Sequence, residues 1–546
     1  MLSNKGMKKP GLIATAVMAG VVTLAGCSAP EAVETTQVPG QPAPVKNVIM
    51  MIGDGMGPQQ MGLLETYARY APHSVYNGES TAMTKLVNDG VLGMSLHSPK
   101  TAIVVDSACS ATQLAAGVYS DSEMIGLDAQ GNKVETILEK AKSMGKATGL
   151  VSDTRLTHAT PAAFAAHQAH RSMENEIAVD MLSNQVDVML SGGLRHWIPK
   201  SVNDKGASYS ALMDQTGGHV KIKSKRKDER NLLTEAQQQG YALAFDRMQL
   251  DKAEGDKLLG LFSDSGMDNG IVYTQTKNDP NRSQPTLKEM TKKALDVLAK
   301  DPDGFFLMIE GGQIDWAGHN NDAGTMLHEM LKFDETVDYV YEWVKERNDT
   351  LLLVTADHET GSFGFSYSRS ELPNPKMLPG DAFKEREFAP NFNFGEFGIL
   401  DRLYGQKKSF GDIFAEFGAL ENQTPEALVK IVNRYSEFKI DLEQAKDILA
   451  MEENEYRVHG HSYLDEAHFP QVHDFKSFYV YGEEIRMDLL GRALSEDQNT
   501  VWGTGTHTST PVGVIAYGPQ ATTQAFSSLM HHTDVGQKAM QALGAQ

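Results

Sequence analysis

The chain has 546 residues, 41% of them hydrophobic and 22% charged, a balance that supplies a sizeable core and excludes an intrinsically disordered protein. Its formal net charge of −21 excludes a protein that scans nucleic acid, which needs basic patches, so no nucleic-acid partner is expected. The same charge repels anionic substrates at long range, so an anion must be held by local cations.

Residues 1–26 read as an export signal. Lys5, Lys8 and Lys9 form a basic end, and Leu12 to Leu24 form an apolar run too short to span a bilayer. The run closes in Leu24-Ala25-Gly26-Cys27, which resembles a bacterial lipoprotein processing box and predicts membrane attachment through a lipid on Cys27. Ser28 in the next position, in place of Asp, is similar to lipoproteins sent on to the outer membrane, so the expected location is the periplasm or cell surface. Residues 27–45 are rich in Pro, Ala, Val, Thr and Gln and read as a flexible tether. If Cys27 carries lipid, Cys109, the second of two cysteines, has no disulfide partner and is expected to be a small packed residue.

From Asn47 the pattern changes. The runs Asn47–Ile52, Ala147–Ser152, Val186–Leu190, Phe305–Ile309, Leu351–Val354 and Val512–Ala516 are short and apolar, as buried parallel strands are. Val134–Met144, Leu287–Leu298 and Met326–Val344 show apolar residues three and four apart, as amphipathic helices do. The alternation predicts an α/β fold with a central, mostly parallel sheet flanked by helices, occupying residues 46–546. The stretch 362–500 breaks this rhythm. It begins with many Pro, Phe and Asn residues, continues in helical patterns at Phe410–Ala419, Pro425–Tyr435 and Leu442–Met451, and reads as a large helical insertion serving as a lid or dimer contact.

Chemistry-bearing residues fall just after the predicted strands, where open α/β sheets place their ligands. Asp54 lies between Gly53 and Gly55, which permit a sharp turn. Glu310 follows a strand, and Asp315 and His319 lie four apart, so on a helical turn both face one ion. Asp357 and His358 form an adjacent pair, and His507 adds an imidazole near the chain end. Ser107 sits in Asp106-Ser-Ala-Cys-Ser-Ala-Thr112, and a serine hydroxyl needs a base or metal to act as a nucleophile. Together these residues predict a metal-activated serine hydrolase acting on phosphate esters.

In this order, Ile52-Gly-Asp-Gly-Met-Gly57, Asp106 to Thr112, His158-Ala-Thr-Pro-Ala-Ala163, Glu310 to His319, Thr355-Ala-Asp-His358 and Gly505-Thr-His507 resemble the alkaline phosphatase family. The resemblance implies the three-layer fold of that family and hydrolysis of phosphate monoesters through a phosphoserine at Ser107. It implies one zinc on Asp315, His319 and His507, a second on Asp54, Asp357 and His358, and a magnesium on Asp54, Thr160 and Glu310. Arg171 matches the arginine that clamps phosphate, and a homodimer is implied. Two positions differ from the enteric bacterial members: His158 replaces an aspartate near magnesium, and Trp316 replaces a lysine near phosphate. Both are similar to other branches, cold-active marine enzymes among them. His158 is expected to reach the metal through water or to favour zinc there, and Trp316 to weaken retention of product.

Two rivals stand beside this reading. One is a phosphodiesterase or another hydrolase of the same superfamily; the other is a non-catalytic lipoprotein that binds phosphate. Elsewhere, His167 and His170 are expected to be surface or packing residues, Asp153 and Arg155 supporting ones, and His459, His461, His468 and His473 solvent-exposed.

Overall fold

The computed structural model describes residues 42–544. The predicted export signal, the lipidation site Cys27 and most of the tether lie outside the described residues. The last stretch of the predicted tether is already packed: Val45 is buried and donates its N–H to the Ala542 carbonyl at 2.7 Å.

Ten strands form one sheet: β1 (Asn47–Gly53), β2 (Val91–Leu96), β3 (Ala147–Arg155), β4 (Val188–Gly192), β5 (Ala242–Ala244), β6 (Leu258–Leu261), β7 (Phe305–Gly311), β8 (Thr350–Ala356), β9 (Val512–Tyr517) and β10 (Leu529–His531). Their order is β10-β2-β9-β8-β1-β7-β3-β4-β6-β5. In this sheet only β9 runs against its neighbours; every other pairing is parallel. The fold is thus α/β with a mostly parallel sheet, as expected. Sequence reading missed β2, β5, β6 and β10, which are short, contain glycine or lie at the sheet's ends.

Strand β1 shows why the central runs are apolar throughout. Ile49 and Met51 enter the core on one face of the sheet, and Val48, Met50 and Ile52 enter the core on the other. Helices cover both faces, so alternation of polar and apolar residues would leave half the strand unsatisfied. The helix Ala323–Val344 lies in the first of these cores, with Met326, Met330, Phe333, Val337 and Val340 buried.

The stretch after β8 holds the helices Gly398–Tyr404, Phe410–Gly418, Pro425–Tyr435, Leu442–Leu449 and Ile485–Gln498. Ile399, Phe410, Ile413, Leu428 and Ile431 bury their side chains in the same core as the first sheet face, so these helices build on the main body. His459, His461, His468 and His473 are exposed. No helix among the described residues is long and apolar enough to cross a membrane.

Candidate active site

Strands β1, β7 and β8 pair in parallel, so their carboxyl ends deliver Asp54, Glu310 and the Asp357-His358 pair to one edge of the sheet. Because β9 is antiparallel, the residues that precede it reach the same edge. His507 is held there by a two-residue ribbon, His507–Thr508 against Glu359–Thr360. The helix Gln313–His319 puts Asp315 and His319 on one side, as the i, i+4 spacing requires. Gly55 makes the turn beside Asp54 possible: its φ is +71°, and a Cβ there would fall 2.8 Å from the Asp315 Cα and the Thr360 Oγ1.

His319 and His507 face each other with their Nε2 atoms 3.0 Å apart. The Nδ1 of His319 meets the Gly505 carbonyl at 2.8 Å, and the Nδ1 of His507 meets the Val105 carbonyl at 2.8 Å. A carbonyl only accepts, so both Nδ1 atoms carry a proton, and in the neutral imidazoles both Nε2 atoms present lone pairs. Asp315 Oδ1 stands 3.4 and 3.5 Å from the same two nitrogens. Two imidazole nitrogens and a carboxylate directed at one point make a donor set that suits a divalent cation.

A second convergence lies beside the first. His358 Nε2 is 3.5 Å from Asp54 Oδ1, 3.3 Å from Asp357 Oδ2 and 3.1 Å from Ser107 Oγ. Thr360 donates its hydroxyl proton to Asp315 at 2.5 Å and is left free to accept from the Nδ1 of His358 at 3.3 Å. That relay turns the Nε2 lone pair of His358 toward the acids. The His358 and His507 rings stack with centroids 3.6 Å apart, so the two convergences share a wall.

The third gathers Asp54, His158 and Glu310. Glu310 Oε2 accepts from Ser152 at 2.5 Å and Thr154 at 3.1 Å, whereas its Oε1, both oxygens of Asp54, the Thr160 hydroxyl and the Nδ1 of His158 are buried without partners. Burial, with Asp357, Asp315 and Glu310 around it, pushes the Asp54 carboxyl well above the usual range. Burial likewise raises Glu310, to about 8, and Asp357, to about 6. Several carboxylates buried side by side demand compensating positive charge.

Ser107 opens the helix Ser107–Ala116, where the backbone amides favour negative charge. Asp106 caps that helix on the amides of Ala108 and Cys109 and pairs with Arg171 Nη1 at 3.0 Å. Burial alone would raise Asp106, but Arg171 and the amides of Glu123, Cys109 and Ala108 outweigh it and hold the carboxyl below its usual range. Arg171 Nη2 also lies 3.4 Å from the Nε2 of His158, whose ring meets Trp316 edge-on.

The structure therefore brings Ser107, Arg171, Asp54, Thr160, Glu310, Asp315, His319, Asp357, His358, His507, His158 and Trp316 to one edge of the sheet; Cys27 lies outside the described residues. The family model for alkaline phosphatase matches residues 45–545. The chain belongs to the alkaline phosphatase family. Alkaline phosphatase 3 of Bacillus subtilis is 31% identical over 97% of this chain and 96% of its own length. A cold-active alkaline phosphatase from a psychrophilic Shewanella sp. superposes with a TM-score of 0.63, at 26% identity over 91% of this chain and 99% of that one. The Thermus thermophilus alkaline phosphatase reaches a TM-score of 0.72 at 24% identity, over 95% of this chain and 96% of that one, a likeness of fold. Membership makes this chain a phosphatase of a metal-dependent family and supports hydrolysis of phosphate monoesters.

Several residues of this alkaline phosphatase's site escaped sequence reading. Tyr481 packs edge-on against His319, and Glu484 Oε2 is buried 3.8 Å from the Nδ1 of His319. His532 Nε2 meets the Asp357 carbonyl at 2.9 Å from behind. Tyr481 and Glu484 lie in no strand-end motif, and His532 follows β10, a strand too short to be marked by its pattern. Asp153, expected to be supporting, accepts the Gly312 N–H at 2.7 Å and pairs with Lys332. Arg155 pairs with Glu174, His167 bridges the Gly126 carbonyl and Glu139, and His170 pairs with Glu123.

Proposed function

We propose that this protein is an exported, lipid-anchored phosphomonoesterase that acts as a homodimer through a phosphoserine at Ser107, with two zinc ions and one magnesium ion per subunit. The observation that carries the reading is the pair of opposed imidazole lone pairs of His319 and His507 beside Asp315. Two imidazole nitrogens and one carboxylate are a donor set that suits zinc. Asp54, Asp357 and His358 would hold the second zinc. Asp54, Thr160 and Glu310, whose oxygens are buried without partners, would hold magnesium, with His158 beside them.

When bound, these ions supply Lewis acidity, lowering the pKa of a hydroxyl or water and screening the phosphoryl charge. The chain's own residues do the rest. Ser107, its proton released to solvent, attacks phosphorus in line, so the Oγ–P bond forms as the ester P–O bond breaks, and the leaving alkoxide takes a proton from solvent and departs as the alcohol. The helix N-terminus at Ser107 steadies the charge on Oγ. Arg171 offers two N–H groups to two non-bridging oxygens, and Asp106 fixes the guanidinium for that contact. Water then displaces Oγ from phosphorus on the side of His319 and His507, restoring the serine and releasing inorganic phosphate. Two inversions give net retention.

The 3.1 Å contact between Ser107 and His358 also invites a serine–histidine dyad. Against it, burial and the neighbouring His507 hold the His358 imidazole well below its usual range, and its Nδ1 meets a threonine where a dyad would have a carboxylate. Comparison of an aryl phosphate with its matched diester and sulfate, before and after chelation, tests the proposal. The expected result is dominant monoester hydrolysis that chelation abolishes and zinc with magnesium restores. Faster diester or sulfate cleavage, or full activity after complete metal removal, contradicts it.

A further inference from the structure

Trp316 leaves the phosphate site without the ammonium group that a lysine would bring, and a single guanidinium, Arg171, stands over it. The structure supplies another donor from an unexpected place. Tyr481 lies in the stretch expected to form a lid or dimer contact, just before the helix Ile485–Gln498, and its carbonyl accepts the Glu484 N–H at 2.8 Å. Its ring is clamped from two sides. His319 meets it edge-on at 5.4 Å and 83°, and Tyr463 at 5.4 Å and 84°.

The hydroxyl has no hydrogen-bond partner among the described residues. The charged groups acting on it are Arg171, Glu484 and Asp315, so the phenol sits in the field of both the guanidinium and the Asp315–His319–His507 convergence. Arg171 only donates, so it cannot satisfy the O–H.

We propose that Tyr481 is a substrate-contacting residue: its hydroxyl donates a hydrogen bond to a non-bridging oxygen of the phosphoryl group held by Arg171. The inference rests on the phosphatase reading above and adds to it a neutral donor, supplied by the same chain, where Trp316 has taken the place of a cation. Hydrogen bonds to charged acceptors contribute enough for removal of one to weaken binding about tenfold.

Tyr481→Phe keeps the ring against His319 and Tyr463 and removes only the hydroxyl. In the zinc- and magnesium-loaded protein, calorimetric titration with inorganic phosphate is expected to show affinity weakened about tenfold. KM for an aryl phosphate rises by a similar factor, while kcat does not fall. Bound zinc and the thermal unfolding midpoint match the parent. Unchanged phosphate affinity and KM overturn the proposal, and so does loss of zinc or of the unfolding midpoint, because Tyr481 would then act through the fold. Ser107→Ala separates this failure from the larger one: if that variant still hydrolyses the ester, the phosphoserine reading falls, whatever Tyr481 does.

Discussion

Two backbone carbonyls, those of Gly505 and Val105, set the tautomers of His319 and His507, and Thr360 does similar service for His358. Such supporting contacts govern how firmly a metal is held. Thr360→Val removes both the proton given to Asp315 and the acceptor for the Nδ1 of His358, and is expected to weaken zinc retention about 10- to 100-fold in a chelator competition; unchanged retention contradicts the relay. Trp316→Lys restores a cation near the phosphate and is expected to tighten inorganic phosphate binding about tenfold and to slow turnover. Equal or weaker phosphate binding in that variant refutes the assigned part of Trp316. At this scale the sequence was most legible where ligands share a strand end, as Asp357 and His358 do. Tyr481, Glu484 and Thr360 were not read, because each owes its place to a side chain distant along the chain or to a hydroxyl that resembles any other threonine.

Among the elements, β9 explains how His507 joins His319, which precedes it by 188 residues in the chain. A parallel strand would deliver its carboxyl end to the site; an antiparallel one delivers the segment before it. Sequence reading took Val512–Ala516 for a parallel strand, because its residues are as apolar as those of the parallel strands, and the structure runs it antiparallel to both neighbours. The helix Ala323–Val344 packs its apolar residues in the core, but it also carries Lys332 between Asp153 at 2.8 Å and Glu329 at 2.5 Å. Asp153 in turn holds the Gly312 amide at the end of β7, close to Glu310. Lys332→Met leaves two buried carboxylates without a counter-ion and is expected to cost about 3–5 kcal/mol of stability, read from denaturant unfolding. A loss below about 1 kcal/mol would mean that the triad is not structurally important.

Over the whole molecule, a chain of net charge −21 concentrates further acids in its interior, and the gathering makes sense only with divalent cations among them. The metal-free protein reports this through pH. Glu310 and Asp357 have folded-state values raised to about 8 and about 6, above those of an unfolded chain, so the folded state binds more protons between the two limits. Their contribution to stability is full below the unfolded values and lost as pH rises through about 6 and about 8. The thermal midpoint of chelated protein is expected to fall over that interval, and zinc with magnesium to remove the fall; parallel curves with and without metal contradict the clustering. The central claim is that these ions and Ser107 together form a covalent phosphoryl enzyme. Acid quenching of the zinc-loaded protein during turnover of a monoester, followed by peptide mass spectrometry, tests it most directly. One added phosphoryl group is expected on the peptide bearing Ser107, absent after chelation and in Ser107→Ala; turnover with that serine unmodified throughout, or undiminished in the alanine variant, rules out the phosphoserine.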